Sequence, residues 1–229
     1  MQVKGIVTTM FATIPVIKQA IQLGANFIIA HEPTFYNHQD NTDWLKNDDV
    51  YQYKAKLLSD NNITVWRNHD YIHSHRPEGV YNGILKQLDW SNYTNEDAPW
   101  NINIPETSLS ALIGDLKRKL RVSTVRYIGD DDQRCKKILL MVGAAGGQRQ
   151  ISAIGELQPD VAIVGELQEW ETAEYIRDAR ASGKKISLIV LGHTASEDAG
   201  SQYMVEWLNK NVPGIKATHI FSGNPFQFR

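Results

Sequence analysis

The sequence predicts an α/β fold built on mostly parallel sheet, and three observations carry that reading. Short runs of β-branched and leucine residues alternate along the chain with stretches of helical spacing. Several of those runs stop at glycine or histidine, as strands do when they hand over to a helix at the crest of a parallel sheet. Apolar residues make up 42% of the chain, joined by 16 glycines, which is enough for a sizeable core.

In chain order, Val3 to Thr9 reads as a strand, and Thr13 caps a helix that turns Val16, Ile17, Ala20 and Ile21 inward and stops at Gly24. Ala25 to Ala30 is a second apolar strand, running straight into His31-Glu32-Pro33, where proline ends ladder pairing. Asn37 to Asp49 is polar and predicts an exposed loop; a helix over Val50 to Leu58 and a strand over Ile63 to Arg67 follow. That strand ends in Asn68-His69-Asp70, with His73 and His75 close behind. Glu78 to Leu88 predicts a helix, Trp90 to Pro99 a linker, and Pro105-Glu106-Thr107 the start of a helix with Leu109, Leu112, Ile113, Leu116 and Leu120 on one face. Strands are predicted at Val125 to Ile128, Ile138 to Val142 and Val161 to Val164, with helices near Gln148 to Leu157 and Glu171 to Ala181. Ile186 to Leu191 is a buried strand closed by Gly192, and a helix carrying Ala199, Tyr203, Met204, Trp207 and Leu208 succeeds it. A strand at Thr218 to Phe221 and a tail around Pro225 complete the chain.

A net charge of -2 with pI near 6.4 argues against nonspecific nucleic-acid binding. One cysteine, Cys135, excludes an intramolecular disulfide framework and a cysteine zinc cluster. Met1 leads into a strand without a signal-like segment, and no apolar run reaches membrane-spanning length. A cytoplasmic protein that binds no membrane is the expectation.

Of the 7 histidines, six fall shortly beyond a predicted strand end. Three strand ends carry His31, His69 and His193, each beside acidic residues or further histidines, and a shared metal centre explains that clustering better than scatter does. Thr194-x-x-Glu197 also reads as a capping box, so the local spacing leaves Glu197 either a helix cap or a metal ligand. Nitrogen and oxygen donors without thiolate suit Zn, Fe, Mn or Ni. No phosphate-loop motif is present; Gly143-Ala144-Ala145-Gly146-Gly147 is a tight turn before it is an anion cradle, and Lys117-Arg118-Lys119 a solvated helix face. Trp66 and Trp170 are assigned to core packing rather than to stacking on a base.

Gly24-Ala25-Asn26-Phe27-Ile28-Ile29-Ala30-His31-Glu32-Pro33-Thr34-Phe35 resembles the segment of the GTP cyclohydrolase I type 2 family, or NGG-interacting-factor-three-like family, that carries two adjacent histidines and a proline. His69-Asp70-Tyr71-Ile72-His73 falls at its His-Thr-x-x-Asp, and Gly79-Val80-Tyr81-Asn82 at its Gly-Val-Asn. Gly192-His193-Thr194-Ala195-Ser196-Glu197 is similar to its Gly-His-x-x-Ser/Thr-Glu box, and Asn224-Pro225-Phe226 to its tail. Gly165-Glu166 resembles its helix start, with Trp170 where a histidine is common.

The resemblance implies two interlocked βα domains with mostly parallel sheets, a dinuclear metal site at strand C-terminal ends in the cleft between them, and a homohexameric ring. The residues that must meet imply a discontinuous domain of 1–95 with 191–229, and an inserted α/β domain of 96–190. Two divalent metal ions would be held by His31, Glu32, His73, His193 and Glu197. Glu32 stands where the family has histidine and His73 where it has aspartate, so the two exchanges together restore three imidazoles and two carboxylates. His69 and Asp70 would orient groups or move protons, and Glu197 would bridge the ions. The function this implies is hydrolysis by activated water of a small substrate, nucleotide-like among the candidates. The alternative is a non-catalytic, ring-forming metal-binding or regulatory protein.

Overall fold

The computed structural model describes residues 2–227 and 229. In chain order the elements are β1 (Ile6–Thr9), α1 (Ile14–Gln22), β2 (Phe27–Ala30), α2 (Asp49–Asp60), β3 (Thr64–Arg67), α3 (His69–Ser74), α4 (Gly79–Gln87), β4 (Asn101–Ser108) and α5 (Leu109–Leu120). There follow β5 (Arg126–Ile128), β6 (Arg134–Met141), α6 (Gly147–Leu157), β7 (Val161–Val164), α7 (Glu174–Ala181), β8 (Ser187–Val190), α8 (His193–Asn211) and β9 (Ala217–His219). They form two compact units: the first is Met1–Val80 with Gly200–Gly223, the second Tyr81–Ala199 with Asn224–Arg229. The α/β class read from the sequence is the class observed.

The first unit holds an all-parallel sheet in the order β3-β2-β1-β9. Its inner strands β1 and β2 are buried on both faces because helices cover both, whereas the edge strand β3 is largely exposed. Val7 and Ile28 face Val16, Ile17 and Ala20 of α1 and Leu57 of α2, while Ile6 and Ile29 face Met204, Val205 and Leu208 of α8. α1 starts where the sequence places it: the Thr13 hydroxyl accepts from the Val16 N–H at 3.3 Å. After Leu23 the chain turns at Gly24, whose φ of +68° suits a residue without a side chain. Replacing Ile28, fully buried here, by alanine removes a core side chain of a kind usually worth about 2–5 kcal/mol.

The second unit holds a mixed sheet in the order β4-β6-β7-β8-β5, with β4 and β5 antiparallel to their neighbours at its two edges. Here the sequence reading needs correction. Asn101 to Ser108 is a strand, and Pro105-Glu106-Thr107 belong to it rather than to a helix start. The segment is polar because only Ile102 and Ile104 turn into the core, and Pro105 sits within the register shift between Asn103 and Thr107. The helix begins three residues later than Glu106, capped by the Ser108 hydroxyl, which accepts from Ala111 N–H at 3.2 Å. The stretch read as a linker contains Trp90, only 4% exposed, and a short 3-10 turn at Ser91–Tyr93. Trp66 and Trp170 are not core residues: they are 39% and 73% exposed. β3 is an edge strand, and Trp170 rides on the wide π-type turn Glu169–Ala173.

One buried charge tethers the loop that follows β2. Lys54 on α2 is 5% exposed and donates to the Thr34 carbonyl at 2.5 Å, with its ammonium 5.4 Å from the rings of both Phe35 and Tyr36. Asp40 closes the same loop by accepting from Phe35 N–H at 2.6 Å and Thr34 N–H at 3.1 Å. Burial lowers the Lys54 pKa to about 8, against an opposing pull from Asp40. Between that value and the ordinary lysine range, the unfolded chain keeps a proton that the folded chain has released. Stability therefore rises with pH through that window. Thermal melts of the protein and of Lys54→Met should diverge in favour of the native chain from pH 8 to pH 10, by roughly 2–3 kcal/mol in total. A constant difference across the window would show that Lys54 keeps an ordinary pKa.

Candidate metal centre

The first unit presents its histidines on the carboxyl crest of the parallel sheet. Backbone pairing continues past the last residues of the strands: His31 N–H donates to Thr9 O at 3.0 Å, Glu32 N–H to Met10 O at 2.9 Å, and Asn68 N–H to Ala30 O at 2.8 Å. His31 and Glu32 are therefore held as rigidly as strand residues and are buried, at 5% and 8% exposure. Beyond Asn68 the chain forms α3, a short helix that places His69 and His73 one turn apart on the same face. The ring of His31 lies 4.8 Å from that of His69 and 5.1 Å from that of His73, and the latter two are 4.7 Å apart.

Each α3 histidine is turned by a carboxylate. His69 Nδ1 is 2.8 Å from Asp70 Oδ1, and His73 Nδ1 is 2.6 Å from Glu78 Oε1. An ionised carboxylate only accepts, so both imidazoles carry their proton on Nδ1 and leave Nε2 as the lone-pair nitrogen. The His69 hydrogen bond in turn holds the exposed Asp70 carboxyl below its usual value. His69 Nε2 faces Glu32 Oε1 at 3.9 Å, and the His69 ring is 4.7 Å from that of His73. The donor atoms of His31, His69 and His73 fall within 4.8 Å of one another. Two metal–nitrogen bonds of about 2.0–2.1 Å nearly span that distance. The donor set fits a divalent ion of the zinc, iron, manganese or nickel kind. His38 stacks edge-on to His69 at 5.7 Å from the exposed loop, while His75 turns its Nδ1 to Pro77 O at 3.0 Å.

The second unit has its own acidic and imidazole crest. β8 ends at Val190, and after Leu191 the chain turns at Gly192, with φ of +93°, directly into α8 at His193. Thr194 is thus inside the helix, so it cannot be the cap of a capping box, and that reading of Glu197 falls away. His193 and Glu197 lie one turn apart and converge, Nε2 to Oε2 at 3.1 Å, while His193 Nδ1 faces Glu166 Oε1 at 3.5 Å. The Glu197 side chain is nearly enclosed, and two glycines make room for it and its neighbour. A Cβ at Gly143, where φ is +59°, would stand 2.3 Å from Glu197 Oε1; one at Gly165 would stand 2.6 Å from Ser196 Oγ. Ser196 ties the crest together by accepting from Gly143 N–H at 2.9 Å and donating to His193 O at 2.8 Å. Further along the glycine-rich turn, the Glu171 carboxylate lies against Gly147 at the start of α6. The chain's own anion therefore occupies that helix end.

All the residues singled out from the sequence thus lie on strand crests: His31, Glu32, His69, Asp70 and His73 in the first unit, His193 and Glu197 in the second. Sequence reasoning missed Glu78, which follows His73 by five residues across Arg76-Pro77, and the space-making role of Gly143. For Glu78 the available signal was a carboxylate within reach of a candidate histidine.

The family model for Duf34/NIF3 (NGG1p interacting factor 3) matches residues 1–225. A Chlamydia pneumoniae protein named GTP cyclohydrolase 1 type 2 homolog is 24% identical, over 98% of this chain and 86% of its own length. The Escherichia coli K12 protein of the same name is 27% identical, over 97% and 86%. Among solved structures, a hypothetical protein of Staphylococcus aureus superposes with a TM-score of 0.79 at 18% identity, covering 100% of this chain and 88% of that one. A Bacillus cereus protein related to NIF3 gives 0.77 at 14% identity, covering 99% and 90%. With a match that runs from the first strand to the tail, this chain belongs to the Duf34/NIF3 family.

Proposed function

We propose that this protein is a metal-dependent hydrolase acting on a small, nucleotide-like substrate, with His31, Glu32, His73, His193 and Glu197 holding two divalent ions. The observation that carries the reading is the gathering of three imidazoles beside a buried Glu32 on a rigid sheet crest. A cation held there would meet the charge of the buried carboxylate, and the set is rigid enough to hold one without reorganising. Ions bound there would polarise the bond under attack and lower the pKa of water to roughly 7. Glu32 and Glu197 supply the carboxylate charge, and Glu166 turns His193 so that its Nε2 meets Glu197. Asp70 keeps His69 in a single tautomer with Nε2 toward Glu32. The exposed Trp170 is available to a planar substrate. The names of the relatives point to a guanine nucleotide, and a nucleotide panel is the natural first screen.

The purified protein should contain stoichiometric divalent metal, and turnover of some member of a nucleotide and ester panel should vanish on treatment with a chelator. Activity indifferent to chelation would sink the reading; metal without turnover would favour the purely metal-binding alternative. Glu197→Gln should retain less metal, measured beside a thermal melt that shows the variant folded, because a neutral amide is a poor bridging ligand. Unchanged metal content in that variant would remove Glu197 from the ligand set. Gly143→Ala should cost about 1–3 kcal/mol through its left-handed backbone, and it should also lower metal content by pushing the Glu197 carboxylate aside. A variant that is destabilised but fully loaded would show that the glycine serves the turn alone.

A further inference from the structure

We infer that His31, His69 and His73 form a self-sufficient three-imidazole site for one divalent cation, in which His69 is a ligand and Glu78 is the positioning residue for His73. The inference rests on the metal-binding part of the reading above and departs from the ligand set that family resemblance implies, where His69 does not coordinate. Three observations carry it, all within the first unit.

The donor atoms of these three residues lie within 4.8 Å of one another, and the group contains no carboxylate. His69 is a full member of the trio, its ring 4.8 Å from His31 and 4.7 Å from His73, with His31 and His73 5.1 Å apart. Its Nε2 lies 3.9 Å from the buried Glu32 Oε1.

The orientation of the two α3 rings is built rather than accidental. Histidines that bind metal commonly donate their other ring N–H to a carboxylate, which fixes the tautomer and makes the ligating nitrogen more basic. Here both do so, His69 to Asp70 and His73 to Glu78. The two pairs differ in weight. The Asp70 side chain is 79% exposed, whereas that of Glu78 is 14% exposed and its bond is the shorter, at 2.6 Å. A carboxylate so enclosed loses much of its hydration, and a bound imidazole N–H repays part of that loss. Glu78 thus holds His73 more firmly than Asp70 holds His69.

Replacing a carboxylate ligand by imidazole has a chemical consequence. Three neutral imidazoles bring no charge of their own, so compensation falls to the nearby Glu32, Asp70 and Glu78 carboxylates, and three protein ligands leave a position open to an anion or to water. A nitrogen-preferring ion such as Co(II) or Zn(II) suits the site better than Mg(II) or Ca(II), which take oxygen ligands.

The test is Co(II) binding to the metal-free full-length protein, followed by visible absorption and by metal analysis after dialysis. The variant carrying both His193→Ala and Glu197→Gln should retain one equivalent of Co(II) with the ligand-field bands of an imidazole-bound ion. Adding His69→Ala to that background should abolish the remaining equivalent. Glu78→Gln in the same background should weaken binding by about 10–100-fold and shift the bands, while Glu78→Asp should recover part of the loss. Exposed Glu106→Gln serves as the control and should change neither. Complete loss of Co(II) in the His193/Glu197 variant would overturn self-sufficiency, and full retention after His69→Ala would overturn the role of His69. Unchanged affinity and bands in Glu78→Gln would reduce Glu78 to a structural contact. That result stays readable if His69→Ala fails to fold. A native protein that binds no Co(II) or Zn(II) would defeat both this inference and the metal-dependent reading beneath it.

Discussion

The continuation of backbone pairing beyond the ends of β1 and β2 is the constraint on which the centre in the first unit depends. His31 and Glu32 leave the strand without leaving the ladder, because Thr9 and Met10 still accept their N–H groups. Pro33 then ends the pairing, since it has no N–H to donate. Two side chains of functional type are thereby mounted one beside the other on backbone tied to the core, with their ligand atoms within 4.8 Å of each other. The parallel sheet beneath is sealed by α1 and α2 on one side and α8 on the other, so its crest is the surface on which polar groups accumulate. Asn68 repeats the device on β3, and α3 begins at the next residue.

In the second unit the controlling factor is space. The i, i+4 spacing of His193 and Glu197 puts them on one helical face, but a carboxylate there needs room beside β6. Gly143 supplies it, and Gly165 allows the close approach of Ser196. A side chain at either glycine would meet polar atoms at distances no real Cβ tolerates. Local backbone geometry and the acidic chemistry of the crest are one feature of the fold, since the same left-handed turn that ends β6 opens the volume in which Glu197 sits.

Much of this was legible in the sequence for a physical reason. Buried parallel strands read as unbroken apolar runs, so β2, β7 and β8 announce themselves, and histidines follow the ends of β2 and β8 closely. β4 did not, because an edge strand in which only Ile102 and Ile104 are buried carries too few apolar residues, and its proline mimics a helix start. Trp66 and Trp170 were misjudged since bulk alone says nothing about which side of a strand or turn a ring occupies. The capping-box reading of Glu197 depended on where the helix starts, which spacing does not reveal; the helix follows directly on Gly192, in its left-handed conformation, two residues too early for Thr194 to act as cap. Glu78 was hidden by the turn at Arg76-Pro77, which brings residues five apart into contact without any periodic signal.

The exchanged positions show how the two levels meet. An aspartate at position 73 would bring its own charge to a cation and would need little help to be oriented toward it. A histidine there brings no charge and has two nitrogens, so which of them faces the centre must be decided by something else. In this chain Glu78 decides it, and its enclosed carboxylate accepts from Nδ1 at 2.6 Å. The negative charge has moved outward by one side chain and now acts through the ring. Glu32 places a second carboxylate directly at the crest, 3.9 Å from His69 Nε2. His69 lies close to both positions, and the charge balance of the crest has to be reckoned over Glu32, Asp70 and Glu78 together rather than over positions 32 and 73 alone.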